Sequence, residues 1–206
     1  MSPDQFVRAC GPFISVSHET LRKLSAYEEL LKKWQAKINL VSPATLNDTW
    51  QRHFFDSAQL LAYIQPNQRI VDFGSGAGFP AMVLAVMGIE NVTMIESDQR
   101  KVAFLQEVAR VTETKVTILN QRIESVTPFE VNVITARAFA PLDKLLSYTA
   151  PWWRDGVTGL FLKGANLKDE LTAAGSMWHI EYRCDASRAD PAGSILIIEG
   201  VTKKTA

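Results

Sequence analysis

Cysteine is scarce in this 206-residue chain: Cys10 and Cys184 are the only two, and they make no CxxC spacing. That excludes a disulfide-stapled secreted domain and a thiolate zinc site, and it fits a reducing cytoplasm. The three histidines, His18, His53 and His179, share no metal-ligand spacing, so no metal is expected. Net charge is lacking too. Lys and Arg total 22 against 22 Asp and Glu, which disfavours a protein that coats nucleic acid and an acidic disordered one. Neither half hides a basic surplus, since residues 1–65 hold seven cations against six anions. The longest nearly unbroken apolar run, residues 79–89, falls short of the roughly 20 residues that span a bilayer. Asp4 and Arg8 stand where a leader would need apolar residues, so no signal peptide is expected. Repeats, low-complexity tracts and Gly/Ser linkers are missing as well. What remains is a cytoplasmic globular protein with no membrane partner and, at 47% hydrophobic residues, enough material for a core.

The pattern changes near residue 66. Before it, Leu21, Leu24, Leu31, Trp34 and Ile38 recur at helical spacing behind Ser17, a capping residue. Glu28–Lys32 and Glu29–Lys33 are placed to pair one turn apart. Pro43 is expected to stop that helix. A second helical stretch over 48–64 closes at Gln65-Pro66-Asn67. Beyond it, strand-like runs at 69–73, 92–96, 115–120, 131–135 and 158–163 alternate with helical stretches at 80–87, 98–111, 141–149 and 167–174. Such alternation predicts an α/β fold with a mostly parallel, doubly wound sheet. Two further runs, 177–183 and 194–201, follow each other without a helix and predict an antiparallel edge. The expected organisation is a helical cap over 1–65 and an α/β domain over 66–206, together one compact unit.

The sharpest motif is Asp72-Phe73-Gly74-Ser75-Gly76-Ala77-Gly78-Phe79-Pro80, between the first strand and its helix. Glycines there permit a tight turn and close approach of a ligand to the backbone. In a dinucleotide site of the G-x-G-x-x-G type the third glycine would fall at position 79, which is Phe79. The spacing is instead G-x-G-x-G behind an acid. Asp72 is aimed into the crevice at the carboxyl end of the sheet. A carboxylate favours a cationic or hydroxyl-rich ligand over a pyrophosphate, which prefers bare N–H groups. Glu96 ends the next strand, eighteen residues beyond Gly78, where it can accept from both hydroxyls of a ribose. Asp72-x-Gly74-x-Gly76-x-Gly78 resembles the S-adenosylmethionine loop of class I methyltransferases.

The methyl acceptor is narrowed by elimination. Methylation at pyrimidine carbon requires a cysteine nucleophile, and neither cysteine lies at a strand end. Exocyclic-amine enzymes commonly carry Asn/Asp-Pro-Pro-aromatic after the fourth strand, where this chain has Thr135-Ala136-Arg137-Ala138. An acceptor that is already a nucleophile, such as guanine N7, requires only in-line placement. A protein or small-molecule acceptor, and a non-catalytic nucleotide-binding module, stay open on the residues alone.

Several motifs in one order carry a closer resemblance. They are Trp34-Gln35-Ala36-Lys37-Ile38-Asn39-Leu40-Val41-Ser42, Arg52-His53-Phe54-Phe55-Asp56-Ser57, the glycine loop, Glu96-Ser97, Arg100-Lys101, Arg122-Ile123-Glu124, Thr135-Ala136-Arg137-Ala138-Phe139-Ala140 and Leu162-Lys163-Gly164. Across nearly the whole chain the sequence resembles the bacterial 16S rRNA (guanine-N7) methyltransferase family, also called glucose-inhibited division protein B or small-subunit rRNA methyltransferase G. It departs from the family pattern at Gln35, Ala81 and Asn132, and its last strand lacks the usual basic flanks. The resemblance implies a class I, Rossmann-like fold and a monomer. It implies methyl transfer from S-adenosylmethionine, leaving S-adenosylhomocysteine, to N7 of guanosine 527 (in the usual rRNA numbering) of 16S rRNA or a small ribosomal subunit precursor.

By the same resemblance Asp72, Gly74, Ser75, Gly76, Gly78, Phe79 and Glu96 hold the cofactor, and Ile123 and Glu124 meet its adenine. Arg137 reaches cofactor and guanine, and Lys163 reaches guanine O6 or a phosphate. Both would orient the base and offset charge. Arg52, His53, Arg100 and Lys101 are the candidate RNA contacts. Each has a plainer role as well: core packing for Ile123, a structural ion pair for Arg137, a solvated strand end for Lys163, and helix packing or surface charge for the others.

The charge balance leaves room only for a local set of phosphate contacts. RNA affinity measured against salt should therefore fall with a shallow log–log slope, and a slope reporting about six or more contacts contradicts this reading.

Overall fold

Ser2 and Pro3 start a helix that hydrophobic spacing alone does not reveal. In the computed structural model, which describes residues 1–12 and 14–204, α1 runs Pro3–Cys10. Its cap is reciprocal. Gln5 N–H donates to Ser2 Oγ at 3.2 Å, Ser2 N–H donates to Gln5 Oε1 at 2.7 Å, and Pro3 occupies a position that requires no N–H. The next helix, α2 (His18–Gln35), starts at the expected Ser17, whose Oγ accepts from Thr20 N–H at 3.0 Å. Glu28 and Lys32 close at 2.9 Å. This helix ends well before Pro43, and Gln35 is the reason. Its side chain donates to Val41 O at 2.9 Å and accepts from Leu40 and Val41 N–H at 2.9 and 3.0 Å, folding the chain back over the helix end.

The stretch expected as one helix over 48–64 consists of turns of different pitch. A 3-10 turn (Pro43–Asp48) leads into a π-helical turn (Trp50–Phe55), a short α turn, α3 (Asp56–Ala58), and a second 3-10 turn (Gln59–Tyr63). The wider π turn brings residues 50, 54 and 55 onto a narrower arc than an α-helix would. Trp50, Phe54 and Phe55 are all buried as a result. The Phe6–Trp50 and Tyr27–Phe54 ring centroids each lie 5.4 Å apart. Packing of large rings, rather than local propensity, sets the pitch here.

Seven strands follow: β1 (Arg69–Phe73), β2 (Asn91–Ile95), β3 (Thr117–Leu119), β4 (Val133–Arg137), β5 (Thr158–Lys163), β6 (Trp178–Ala186) and β7 (Ser194–Lys203). Their order in one sheet is β3-β2-β1-β4-β5-β7-β6. The first five pair in parallel, and β7 runs antiparallel to both β5 and β6. This is the doubly wound sheet with an antiparallel edge that the alternating pattern predicts. Helices α4 (Ala81–Val86), α5 (Gln99–Val111), α6 (Leu142–Thr149) and α7 (Leu167–Ala174) cover its faces.

Each face has its own core. On one, Phe6, Leu24, Tyr27 and Phe54 share a continuous apolar cluster with Met82, Phe104, Ile70 and Leu160, so residues 1–65 and the sheet build it jointly. On the other, Leu142, Leu146 and Leu167 pack over Val71, Phe73 and Phe161. Trp152 belongs to that second core, edge-on to Phe73 at 5.2 Å, and Trp153 donates to Thr149 Oγ1. The tryptophan pair therefore serves packing. Among the described residues no helix is long and apolar enough to cross a membrane.

Leu24 is fully buried in the shared core. Leu24→Ala should cost about 2–5 kcal/mol and lower the midpoint of a single unfolding transition. Melting of the helical region ahead of an unperturbed sheet would contradict the shared core.

Candidate active site

The strand order reverses at β1, with β2 on one side and β4 on the other, and the crevice outside the strands' carboxyl ends opens there. It is a cleft of about 810 Å³. The sheet edge contributes Gly74, Gly76, Phe79, Arg137 and Lys163, and the helical cap contributes Thr45, Arg52, His53 and Asp56.

The glycine loop is pinned from two sides. Gly74, Gly76 and Gly78 take φ of +65°, +55° and +89°, a region that disfavours any side chain. From the sheet, Ile95 O accepts from Gly74 and Ser75 N–H, and Glu96 Oε2 accepts from Gly76 N–H at 2.8 Å. From the cap, the fully buried Tyr27 donates its hydroxyl to Ala77 O and stacks on Phe79 at 5.5 Å. A Cβ at Gly78 would meet Tyr27 Oη at 2.5 Å and Met82 Cβ at 2.8 Å, so that glycine faces the cap. A Cβ at Gly74 would collide with the ring of Phe139.

Asp72 is fully buried beneath the loop. Thr135 Oγ1 donates to its Oδ1 at 2.6 Å, while Oδ2 has no partner among the described residues. Burial pushes its carboxyl up from 3.8 to about 7, against the lowering effect of neighbouring hydroxyls and Arg137. The proton it holds in the folded state adds stability in acid that is lost as pH rises from about 4 through about 7. A buried acceptor with no donor is the natural receptor for a donor or cation on a ligand.

Arg137 leaves the end of β4 toward the cap. Its Nη1 donates to Arg52 O at 3.0 Å and lies 3.4 Å from Asp56 Oδ2, and its guanidinium sits 4.6 Å over the Phe79 ring. Burial raises the Asp56 carboxyl even though Arg137 opposes the shift. His53 stacks on Phe79 at 4.8 Å. Thr45 Oγ1 gives its one proton to Ser42 O at 2.8 Å, so at 3.0 Å it accepts from His53 Nε2–H and leaves Nδ1 a bare acceptor with no partner among the described residues. Burial, then Arg137 and Arg52, push His53 down to about 3. It is neutral at physiological pH, so any contact it makes with RNA is not an ionic one.

Of the remaining expected residues, Lys163 closes on Glu170 at 2.5 Å and Arg52 on Asp190 at 2.6 Å. Lys101 is half-buried on the cleft wall, whereas Arg100 is exposed and pairs with Asp98 at 3.4 Å. Glu96 spends one oxygen on Gly76 and the other on Asp98 N–H at 2.8 Å, with lone pairs to spare. Ile123 opens a 3-10 turn, Ile123–Ser125, and packs in the second core; Glu124 is exposed, and both lie outside the cleft wall. Sequence reasoning missed Tyr27, Thr45, Asp56 and Glu170. Asp56 was findable, one helical turn from Arg52 and an acid for a guanidinium that burial requires to be paired.

Comparison with known proteins identifies the family and the fold. The family model described as rRNA small subunit methyltransferase G (GidB) matches residues 20–188. The chain is 50% identical over 204 residues to the ribosomal RNA small subunit methyltransferase G of Paramagnetospirillum magneticum, covering 98% of each. It is 48% identical over 199 residues to that of Rhodospirillum rubrum, covering 96% of this chain and 97% of the other. Among solved structures it is similar to a TehB-like SAM-dependent methyltransferase from Corynebacterium glutamicum, with TM-score 0.59 and 13% identity over 88% of this chain and 100% of that one. A mutant of MtNAS in complex with S-adenosylmethionine gives TM-score 0.58 at 13% identity, over 88% of this chain and 77% of that one. The two structures establish the fold as class I, Rossmann-like. The family match and the near-full-length relatives establish more: this chain belongs to the rRNA small subunit methyltransferase G family.

Proposed function

We propose that this protein transfers the methyl group of S-adenosylmethionine to N7 of one guanosine in 16S rRNA, in the small ribosomal subunit or its precursor. One observation carries the reading: directly beneath the glycine loop, whose Gly74, Ser75 and Gly76 line the cleft together with Arg137 and Lys163, the buried Asp72 keeps an oxygen that has no partner among the described residues. Asp72 suits a ligand with a cationic group, because it is a buried acceptor with no donor. Glu96 has lone pairs left for ribose hydroxyls. Gly74, Ser75, Gly76 and Phe79 form the floor on which the ligand lies, Gly78 lets Tyr27 hold that floor in place, and Ile123 and Glu124 are assigned to the adenine side.

Once bound, S-adenosylmethionine supplies an electrophilic methyl carbon, which takes the N7 lone pair as the C–S bond breaks and its electrons stay on sulfur in S-adenosylhomocysteine. No proton moves, so the protein supplies no general base. Its task is in-line placement. Arg137, steadied by Asp56 and Arg52 O, and Lys163 donate to guanine O6. Positive charge ends on the guanine ring, so these cations orient the base rather than offset its charge. His53 stacks behind Phe79, and Arg52, Arg100 and Lys101 meet phosphates around the rim.

Incubation with methyl-labelled cofactor and small subunits from cells lacking this protein should place label in 16S rRNA as N7-methylguanosine. Label only in protein or small molecules, or at another atom of the RNA, overturns the proposal. Arg137→Ala should lower kcat/KM for RNA by about a hundredfold, the cost of a misplaced substrate. An effect under twofold would remove Arg137 from the mechanism.

Asp72 sets a pH dependence. Only the ionised carboxylate attracts a cation, and its fraction falls below the value near 7. Cofactor affinity measured calorimetrically should be level above pH 7 and weaken by up to about tenfold per unit below it. Asp72→Asn should bind weakly at every pH. An unchanged affinity in that variant would mean Asp72 does not face the cofactor.

A further inference from the structure

Lys163 and Arg137 reach the cleft from opposite faces of the sheet. Arg137 is paired with Leu162 in the β4–β5 ladder, so these two side chains share a face, and Leu162 belongs to the core shared with the cap. Lys163 is one residue further and starts on the other face, above α6 and α7. Its side chain is only 9% exposed, so its ammonium must find a partner inside the protein. That partner is Glu170, in the first turn of α7, with Oε2 at 2.5 Å from Nζ. The same oxygen accepts Leu142 N–H at 3.0 Å, the first backbone N–H of α6. One carboxylate oxygen thus joins the strand-end lysine to the helix that follows the 138–141 loop.

That loop is the cleft wall nearest the glycine loop. Ala138 takes φ of +50°, an uncommon conformation for a residue with a side chain, and Phe139 presses on Gly74. Ala138, Phe139, Ala140, Pro141, Lys163 and Glu170 all line the cleft. The other charged side chains lining it are Arg52 and Asp190, Arg137 and Asp56, and Lys101; the first four form the two ion pairs described above. Glu170 is therefore the carboxylate that bonds Lys163.

We infer that Glu170 is a positioning residue for methyl transfer, holding the Lys163 ammonium and the 138–141 loop in register with the target base. The inference rests on the proposed role of Lys163 at guanine. It assigns Glu170 no contact with substrate or cofactor. Its effect passes through Lys163, which sets a specific energetic signature: removing either partner should cost the same interaction, and removing both should cost it once.

Glu170→Gln separates charge from scaffold, because its amide oxygen can still accept Leu142 N–H while the ionic hold on Lys163 is gone. Labelled methyl transfer to small-subunit RNA should show kcat reduced at least tenfold in Glu170→Gln. Cofactor Kd should stay close to wild type, while the thermal midpoint falls by a few degrees because the Lys163 ammonium loses its partner. Lys163→Met should show a similar loss, and the double variant no more than either single one. Glu170→Ala, which also frees Leu142 N–H, should lower kcat further. Independent, multiplicative losses in the double variant overturn the inference. So does wild-type kcat in Glu170→Gln, or a loss that appears only as weaker cofactor binding or a lower melting point. A wild-type enzyme that labels no RNA overturns both this inference and the function it rests on, whereas a labelling wild type with an indifferent Glu170→Gln overturns this inference alone.

Discussion

The cleft depends on one loop being held in a conformation that residues with side chains disfavour. Gly74, Gly76 and Gly78 take positive φ within five residues, and the loop is tied on both flanks. Ile95 O and Glu96 hold it from the sheet, and Tyr27 holds it from the cap through Ala77 O. Because Tyr27 also sits in the core that the cap shares with the sheet, packing energy from residues outside the crevice fixes the crevice floor. A loop tied on one side only would lose more conformational entropy whenever a ligand ordered it.

That arrangement explains why so many polar groups are buried at one place. Asp72 and His53 are removed from water by the cap and by the loop they support, each with one atom that has no partner among the described residues, and the half-buried Arg137 and Asp56 pair beside them. Preorganised groups of this kind cost folding energy and return it when a ligand completes them. The even charge count takes a spatial form here as well. Arg52 faces Asp190, Arg137 faces Asp56, Lys163 faces Glu170 and Arg100 faces Asp98. Under the proposed function, RNA approaching this surface competes with built-in acids, so shape and one presented base carry more of the recognition than bulk phosphate attraction.

Much of this was legible in the sequence, for identifiable reasons. The alternating strands and helices and the antiparallel edge follow from periods that survive folding unchanged, and the glycine loop announces itself because only glycine tolerates its dihedral angles. Gln35 and the 48–64 segment were not legible as helix ends and pitch. Their geometry is set by Val41 and by the rings of Phe6 and Tyr27, which come from elsewhere in the chain. The burial that holds His53 neutral is likewise invisible in the sequence, since it is a property of the assembled cap. Glu170 carries no signal at all before α6 and α7 bring Leu142 and Lys163 to the same oxygen.

The central claim is that this cleft modifies guanine N7 in small-subunit RNA. Its most direct test is to map N7-methylguanosine along 16S rRNA from cells lacking this protein and from the same cells carrying it on a plasmid. The account predicts one N7-methylguanosine missing in the first and restored in the second, but not by a plasmid encoding Asp72→Asn. An unchanged map in cells lacking the protein would contradict it.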